Sequence, residues 1–121
     1  MSESQSLGQK GEACAVEYLL KKGYKIRHRN WISGKKELDI VAETSDYIVF
    51  VEVKTRTDDP RADPRTAVNR EKQKSIIYAA DWYIRKFSLD KESRFDVIII
   101  IAKGEGFEIE HIEGAFYPTL R

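Results

Sequence analysis

The stretch Val49-Phe50-Val51-Glu52-Val53-Lys54 decides how this chain folds. It is short, β-branched and aromatic, which is typical of a β-strand. Residues 47–51 are all apolar, and this favours a strand that is covered on both faces. Glu52 and Lys54 then interrupt the pattern. Because they lie two residues apart, their side chains leave the same face of the strand. Burying these two charges is costly unless each is paired, so the strand needs a partner for them.

Size and composition predict one soluble globular domain over residues 1–121. The chain has 121 residues, of which 41% are hydrophobic and 34% charged. No apolar run approaches the roughly 20 residues that a membrane-spanning helix needs, so we expect no membrane partner. The N-terminus lacks the pattern of a signal peptide, and a cytoplasmic location is the simplest expectation. A single cysteine, Cys14, excludes an internal disulfide and a cysteine-based zinc cluster.

The distribution of charge indicates one candidate nucleic-acid surface, although the net charge is only +1. No acid occurs between Glu17 and Glu37, whereas seven basic residues do: Lys21, Lys22, Lys25, Arg27, Arg29, Lys35 and Lys36. Trp31 lies inside this run. A basic stretch with an aromatic residue is typical of a surface that binds a phosphate backbone. A solvated face explains the same run equally well.

Hydrophobic periodicity predicts two helices and five strands in the order α-β-β-β-α-β-β, which is a single mixed α/β domain. The first helix covers residues 6–22, with a capping box at Ser6 and Gln9 and a stop at Gly23. The second covers residues 66–87. The strands cover residues 24–29, 37–42, 47–54, 94–101 and 107–112, and loops are expected at residues 30–34 and 55–65.

Each predicted helix carries one charged residue on its apolar stripe. Glu12 lies one turn before Val16, and either faces a site or merely stabilises an exposed first turn through the helix dipole. Gly8 and Gly11 beside it allow the close approach of a neighbour. Lys72 lies one turn before Ile76, and is either a snorkelling lysine or a cation directed at a site. Three other polar residues have less specific expectations: Asp96 is a structural cap or ion-pair partner, and His28 and His111 have no assigned role.

The second and third strands form a predicted antiparallel hairpin whose register places acids together. If residues 44–47 form a four-residue loop, Glu43 pairs with Ile48 and Asp39 lies opposite Glu52. Glu37 then lies opposite Lys54. A two-residue loop makes Glu52 a diagonal neighbour of Asp39, and one-residue slips put the two on opposite faces. On the second strand, alternation places Leu38, Ile40 and Ala42 on one face.

Asp39, Glu52 and Lys54 together provide the groups for metal-dependent phosphodiester hydrolysis. Mg²⁺ takes one or two carboxylates, waters and a substrate phosphate as ligands, and the carbonyl of Val53 could add another. A lysine beside the metal can hold the attacking water or lower its pKa, while the metal polarises the phosphoryl oxygen. Two close carboxylates repel each other unless a proton or a cation lies between them.

Short motifs occur along almost the whole chain: Gly8-x-x-Gly11-Glu12-x-x-Ala15, Gly23-Tyr24, Arg29-Asn30-Trp31, Glu37-Leu38-Asp39-Ile40-Val41, Phe50-Val51-Glu52-Val53-Lys54-Thr55-Arg56, Ala67-Val68 with Lys72, and Phe95-Asp96-Val97. Through these motifs the chain resembles the uncharacterised bacterial YraN family, and its acid-acid-lysine set resembles the PD-(D/E)xK nuclease superfamily. The resemblance implies a restriction-endonuclease-like fold, in which a mixed sheet is flanked by helices.

The same resemblance implies roles for individual residues. Asp39 and Glu52 would be metal ligands together with the Val53 carbonyl, the metal being Mg²⁺ or Mn²⁺, and Lys54 would be the catalytic lysine. Glu12 would be an accessory acid, as in the archaeal Holliday-junction resolvases that the layout is similar to. Five residues are expected to contact nucleic acid: Arg29, Trp31, Lys36, Arg56 and Lys72. Leu38 replaces the proline of the nuclease motif, and Lys36 replaces the glycine usual in YraN-like proteins; neither change removes a ligand.

Three functional hypotheses follow. The first is a Mg²⁺- or Mn²⁺-dependent endonuclease that acts on branched, single-stranded or otherwise structured DNA, with a homodimer expected by analogy with the resolvases. The second is a nucleic-acid-binding module of the same fold without significant turnover. The third is a structural cluster of Glu37, Asp39, Glu52 and Lys54 that ends the sheet through salt bridges.

Overall fold

A computed structural model describes residues 3–57 and 68–118, and the predicted order of elements is confirmed there. The elements are α1 (Glu3–Lys21), β1 (Lys25–Ser33), β2 (Lys36–Glu43), β3 (Tyr47–Thr57), α2 (Arg70–Lys86), β4 (Glu92–Lys103) and β5 (Gly106–Phe116). No helix among these residues is long and apolar enough to cross a membrane.

The five strands form one mixed sheet in the order β1-β2-β3-β4-β5. Strands β3 and β4 are parallel, and the other three neighbouring pairs are antiparallel. The parallel pair is connected through α2, as parallel pairing requires a crossover. The described residues therefore form a single mixed α/β domain, in which one five-stranded sheet packs with two helices.

Each face of the sheet is covered by one helix, so β3 is buried on both sides as its sequence predicts. Ile48 and Phe50 of β3 belong to the core under α2, with Ile76, Ala79, Ala80 and Tyr83. Val49 and Val51 belong to the core under α1, with Ala15 and Leu19. These helix residues form the buried stripe of each helix, whereas Leu20 of α1 is 54% exposed.

Helix α1 starts earlier than the capping box predicts. It begins at Glu3, so Ser6 lies inside the helix and the predicted N-cap at Ser6 is wrong. A capping motif is a local preference, and it yields when the preceding residues can also take helical dihedral angles. The predicted stop is confirmed: Gly23 has φ +91°, and its N–H donates to the carbonyl of Leu20.

The predicted loops are shorter in the structure because neighbouring strands supply hydrogen-bond partners. β1 continues through Asn30 to Ser33, so the predicted loop reduces to a turn at Gly34 and Lys35. β3 continues to Thr57 because β4 pairs with it as far as Ala102, so the loop predicted from Thr55 is wrong for residues 55–57. Residues 58–65 of that loop lie outside the described residues.

The second helix begins later than predicted, at Arg70. Asn69 is its N-cap and accepts from the backbone N–H of Lys72 at 2.8 Å. Val68 and Asn69 precede the helix, whereas residues 66 and 67, where its start was predicted, lie outside the described residues. This start directs the first turn of α2, and with it Lys72, toward the end of β3.

Candidate active site

Of the registers left open for the β2–β3 hairpin, the structure has the one that a four-residue loop predicts. Glu43 pairs with Ile48, and the backbone pairing continues to Ile40 and Val51. The next positions in this register are Asp39 and Glu52. At these positions a side chain takes the place of a backbone carbonyl as hydrogen-bond acceptor. Oδ2 of Asp39 accepts from the N–H of Val53 at 2.9 Å.

The side chains of β2 do not alternate as predicted near Asp39. Leu38 packs in the core under α2, whereas Ile40 and Ala42 pack in the core under α1, so the prediction that all three share one face is wrong. The partner strand β1 is irregular at the same level, where Asn30 takes a left-handed φ of +50°. Asp39 lies at this break between the faces, and its charge acts on both Glu12 of α1 and Glu52 of β3.

Glu52 is the most deeply buried acid of the candidate site. It is 5% exposed. Burial raises its pKa and the nearby charge of Asp39 raises it further, while Lys72 and Lys54 oppose the change, so that the pKa is about 7. The carboxylate pair is therefore only partly compensated by the surrounding side chains at neutral pH.

Two lysines approach Glu52 from different elements. Nζ of Lys54, on β3, lies 3.9 Å from Oε1 of Glu52, and Nζ of Lys72, on α2, lies 3.7 Å from the same oxygen. Of the two alternatives for Lys72, this position favours a cation directed at the candidate site. Both lysine side chains are more than a third exposed, which leaves them accessible to a ligand.

Glu12 completes the acidic group from the α1 side. Helix α1 begins nine residues before it, so the alternative that Glu12 stabilises an exposed first turn is wrong. Its Oε1 accepts from Nδ2 of Asn30 at 2.9 Å and lies 3.6 Å from a guanidinium nitrogen of Arg29. Burial raises the pKa of Glu12, and the charge of Asp39 raises it further.

Gly11 allows α1 to lie against the end of β3. A methyl group at Gly11 would overlap Oγ1 of Thr55 and lie 3.2 Å from its Cγ2. The predicted close approach is therefore confirmed at Gly11. It is wrong at Gly8, where an added methyl group would meet no atom of the described residues within 4 Å. The contact at Gly11 holds Glu12 close to the carboxylates of the sheet.

The donor set suits a small divalent cation. In an extended strand the N–H and C=O of one residue lie on the same edge, so the bond from Val53 N–H to Asp39 directs the Val53 carbonyl toward β2 as well. Asp39, Glu52 and this carbonyl are oxygen donors of the kind that Mg²⁺ and Mn²⁺ prefer. Within residues 3–57 and 68–118, no three or more acid, histidine or cysteine side chains are close enough to hold a metal by themselves. Water or a substrate phosphate would have to supply the remaining ligands.

The five residues predicted to contact nucleic acid occupy two regions. Arg29 lies beside Glu12, and Lys72 lies beside Glu52. Arg56 lies further along β3 and pairs with Ile101 of β4. Trp31 and Lys36 lie toward the β1–β2 turn. Trp31 is half-buried with its ring edge-on to Tyr83, and Nζ of Lys36 lies 5.1 Å from the centre of the Tyr78 ring.

The pairing of Glu37 with Lys54, which the structural hypothesis needs, is wrong. Glu37 is exposed and pairs with Ile32 of β1. Among the residues that the structure describes, the carboxylate that approaches Lys54 is Glu52. The cause is that backbone pairing between β2 and β3 ends at Ile40, so β2 does not extend alongside Lys54.

Comparison with known proteins gives the family. A family model described as "Uncharacterised protein family UPF0102" matches residues 11–100, which is most of the chain. The chain belongs to family UPF0102. It is 49% identical over 120 residues to a UPF0102 protein of Phocaeicola vulgatus, covering 99% of each chain. It is 44% identical over 121 residues to one from Parabacteroides distasonis, covering all of both. The resemblance to the YraN family is thereby confirmed.

This UPF0102 chain contains a buried polar cluster that the sequence analysis missed in part. Asp96 is fully buried and accepts from Arg94 at 2.9 and 2.8 Å and from the backbone N–H of Gly114 at 3.1 Å. Nε2 of His111 lies 2.7 Å from Asp96, and Nδ1 of His111 lies 3.0 Å from the hydroxyl of Tyr18. The structural role predicted for Asp96 is confirmed. His111 had no assigned role, although the alternation Phe107, Ile109, His111 could have placed it inward.

A second missed group ties β1 to α2 on the other side of the UPF0102 sheet. The hydroxyl of Tyr83 lies 2.6 Å from Nδ1 of His28 and accepts from Nε of Arg27 at 3.0 Å. Arg27 also pairs with Glu43 at 3.0 Å, and Lys91 pairs with the same carboxylate at 2.7 Å. These contacts anchor the end of the sheet away from the carboxylates.

Proposed function

We propose that this protein is a Mg²⁺- or Mn²⁺-dependent endonuclease that hydrolyses phosphodiester bonds in branched or otherwise structured DNA. The observation that carries the proposal is the placement of Asp39 beside Glu52 at the end of the β2–β3 pairing, with two lysines within 4 Å of Glu52. The acid-acid-lysine pattern, which is similar to that of the PD-(D/E)xK nucleases, supports the same reaction and a restriction-endonuclease-like fold.

Asp39, Glu52 and the carbonyl of Val53 are the groups that would hold the cation. When bound, the cation would polarise the scissile phosphoryl oxygen and stabilise the charge that develops on it. Glu52 is 5% exposed, and its strand is fixed on the other edge by β4, so the ligand position is rigid. This rigidity favours catalysis by positioning.

The chain's own cations and its helix acid have separate tasks in this proposal. Lys54 orients the attacking water and donates hydrogen bonds to the phosphate, because its ammonium leaves the same face of β3 as Glu52. Lys72 adds positive charge from α2 beside the same oxygen of Glu52. Glu12, whose pKa is raised, lies near Asp39 and can hold or accept a proton beside the water.

The test is cleavage of end-labelled DNA by the purified protein. Substrates are a four-way junction, a flap, a single strand and a blunt duplex, each with Mg²⁺, Mn²⁺ or a chelator. We expect metal-dependent products from the wild type, loss of these products in Asp39→Ala and Glu52→Gln, and unchanged products in Asp90→Ala, an exposed acid outside the site. Equal products from the wild type and Asp39→Ala would overturn the proposal.

A binding module without turnover is the second candidate. One observation favours it: Lys72 lies 3.7 Å from Glu52 and already supplies part of the positive charge that a metal would supply. Salt-sensitive DNA binding that is indifferent to metal and to Glu52→Gln, together with no cleavage of any substrate, would select this candidate.

A further inference from the structure

The outer face of α2 carries exposed aromatic side chains that the core does not use. Tyr78 is 55% and Trp82 51% exposed, whereas the opposite face of the same helix buries Ile76, Ala79, Ala80 and Tyr83. Tyr78 and Trp82 are four residues apart, so they lie one above the other on one face of the helix. Large aromatic side chains left exposed beside each other mark a binding surface more often than an unused one.

Three cations, Lys36, Arg85 and Lys86, lie near these two rings. Nζ of Lys36 lies 5.1 Å from the centre of the Tyr78 ring. A groove of about 500 Å³ separates the β1–β2 turn from α2, and it is lined by Trp31, Ile32, Ser33, Trp82, Arg85 and Lys86. Two acids lie on the same side of the helix: Asp81, which is paired with Arg85 at 3.2 Å, and Glu71 in the first turn. We name the set Ile32, Lys36, Tyr78, Trp82, Arg85 and Lys86 the α2 platform.

The α2 platform begins close to the candidate active site. Along β2, Lys36 precedes Asp39 by three residues, or about 10 Å of extended strand. Along α2, Tyr78 follows Lys72 by six residues, or about 9 Å of helix. A stacked strand rises by about 3.4 Å per nucleotide, so each of these two distances corresponds to about three nucleotides. One strand of a substrate could therefore reach both regions.

We infer that the α2 platform binds unpaired nucleotides by stacking them on Trp82 and Tyr78. The inference rests on the proposed function and names the part of the substrate that the site selects, a single-stranded arm next to the cleaved bond. Exposed aromatic faces bind unpaired bases because every base has a π-face, while cations follow the phosphates. Paired bases in a blunt duplex keep their faces stacked inside the helix and cannot use the rings. The cations around the rings favour a polyanion over a protein partner.

The test measures binding separately from cleavage. Fluorescence anisotropy in chelator follows a labelled oligothymidylate, a forked duplex and a blunt duplex. We expect Trp82→Ala to weaken binding of the first two by about 5- to 100-fold, the range for losing one stacked base, and to leave the blunt duplex unchanged. Trp82→Phe should retain most of the affinity. The matched control is Leu20→Ala, which removes an exposed apolar side chain from α1 and should change nothing.

A second readout reports contact directly. The chain has two tryptophans, so Trp31→Phe leaves Trp82 as the emitting residue. Its fluorescence should be quenched by the oligothymidylate and not by the blunt duplex. Equal losses on all three DNAs in Trp82→Ala, or no loss on any, would overturn the inference. So would a wild-type dimer in sedimentation that Trp82→Ala dissociates while DNA binding stays the same, because the platform would then bind a second copy.

The two proposals fail independently. Asp39→Ala should lose cleavage and keep the preference for single-stranded and forked DNA. In another outcome, the wild type binds single-stranded and forked DNA preferentially without cleaving any substrate. If Trp82→Ala then loses this preference, the endonuclease proposal fails and the platform stands. If cleavage occurs and Trp82→Ala cleaves and binds forked DNA as the wild type does, the platform fails and the endonuclease stands.

Discussion

The backbone N–H of Val53 donates to Oδ2 of Asp39 at 2.9 Å, although backbone pairing between their strands ends one position earlier, at Ile40 and Val51. The side chain of Asp39 thus takes over as acceptor where the backbone pairing of β2 with β3 ends. This places a carboxylate between the two strands, next to Glu52, and gives the Val53 N–H an acceptor. The backbone structure therefore holds the two acids close together.

The first prediction concerns the pH dependence of folding without metal. The pKa of Glu52 in the folded protein is about 7, because of burial and then the charge of Asp39, and this lies above its ordinary value. The folded state therefore holds an extra proton, so the Glu52 contribution to stability is complete below about pH 4.5 and is lost as the pH rises through 7. Glu52→Gln should remove this dependence and raise the free energy of unfolding at pH 8 by about 3 kcal/mol. Denaturant melts between pH 5 and 8 measure it, and a slope unchanged in Glu52→Gln would contradict the assignment.

The second prediction separates a metal site from a structural ion cluster. In chelator at pH 8, Asp39→Asn should melt at a higher temperature than the wild type because it relieves the repulsion with Glu52. Adding Mn²⁺ should raise the melting temperature of the wild type and should not raise that of Asp39→Asn. At a Mn²⁺ concentration of a hundred times the dissociation constant, the free energy of unfolding of the wild type should rise by about 2.7 kcal/mol. Asp90→Asn is the control. A lower melting temperature for Asp39→Asn in chelator, with no response of the wild type to Mn²⁺, would favour the structural cluster.

The third prediction distinguishes the two lysines near Glu52. Lys54→Met should reduce the single-turnover cleavage rate at saturating DNA by at least about 100-fold, as loss of a catalytic group does, while DNA affinity changes little. Lys72→Met should reduce the rate by less than about tenfold, because Lys72 acts on the charge of Glu52 from a neighbouring helix. Quench-flow or manual time courses with a labelled junction provide the rates. The reverse order of effects would assign the catalytic role to Lys72.

The fourth prediction tests the contact between α1 and β3. Gly11→Ala should lower the free energy of unfolding by about 1–3 kcal/mol, since its methyl group would overlap the Thr55 side chain. Gly8→Ala is the matched control in the same helix. Its methyl group would meet no atom within 4 Å among residues 3–57 and 68–118, and it should stabilise the protein by up to about 1 kcal/mol through helix propensity. Thr55→Ala should restore part of the loss in Gly11→Ala. Equal effects of the two glycine substitutions would show that α1 does not need this close approach.

The fifth prediction concerns the buried cluster around Asp96. Burial alone would raise the pKa of Asp96, but hydrogen bonds from His111, Arg94 and the Gly114 N–H outweigh it and lower the pKa. The contribution of Asp96 is therefore present above the ordinary carboxyl pKa and is lost as the pH falls through the lowered value. Asp96→Asn should cost about 3–5 kcal/mol at pH 7, because Arg94 would lose its buried partner.

Glu113→Gln is the control for this prediction. It breaks an ion pair at 3.1 Å with the same Arg94, but Glu113 is 54% exposed. Its loss should cost less than about 1 kcal/mol. Urea melts of both variants at pH 7 compare their free energies of unfolding. A similar loss in the two would mean that burial does not make the Asp96–Arg94 pair more stabilising than the exposed Glu113–Arg94 pair.

The sequence by itself determined the order of the elements and the two buried faces of β3, because both depend on periodicity, which is a local property. For the β2–β3 hairpin it allowed several registers that differ in loop length. The structure has the register of the four-residue loop, which brings Asp39 next to Glu52. Strand ends were predicted less well, because Thr55 to Thr57 and Asn30 to Ser33 become strand only through hydrogen bonds to β4 and β2.

Only the tertiary structure decided which other groups join the carboxylates. Alternation assigns Asp39 to a single face, yet the break at Asn30 and Leu38 lets its charge act on both Glu12 and Glu52. Lys72 reaches Glu52, and His111 connects Asp96 to Tyr18, across chain separations that no local pattern encodes. The physical reason is that the packing of α1 and α2 on opposite faces of the sheet sets these distances, and that packing is a property of the whole core.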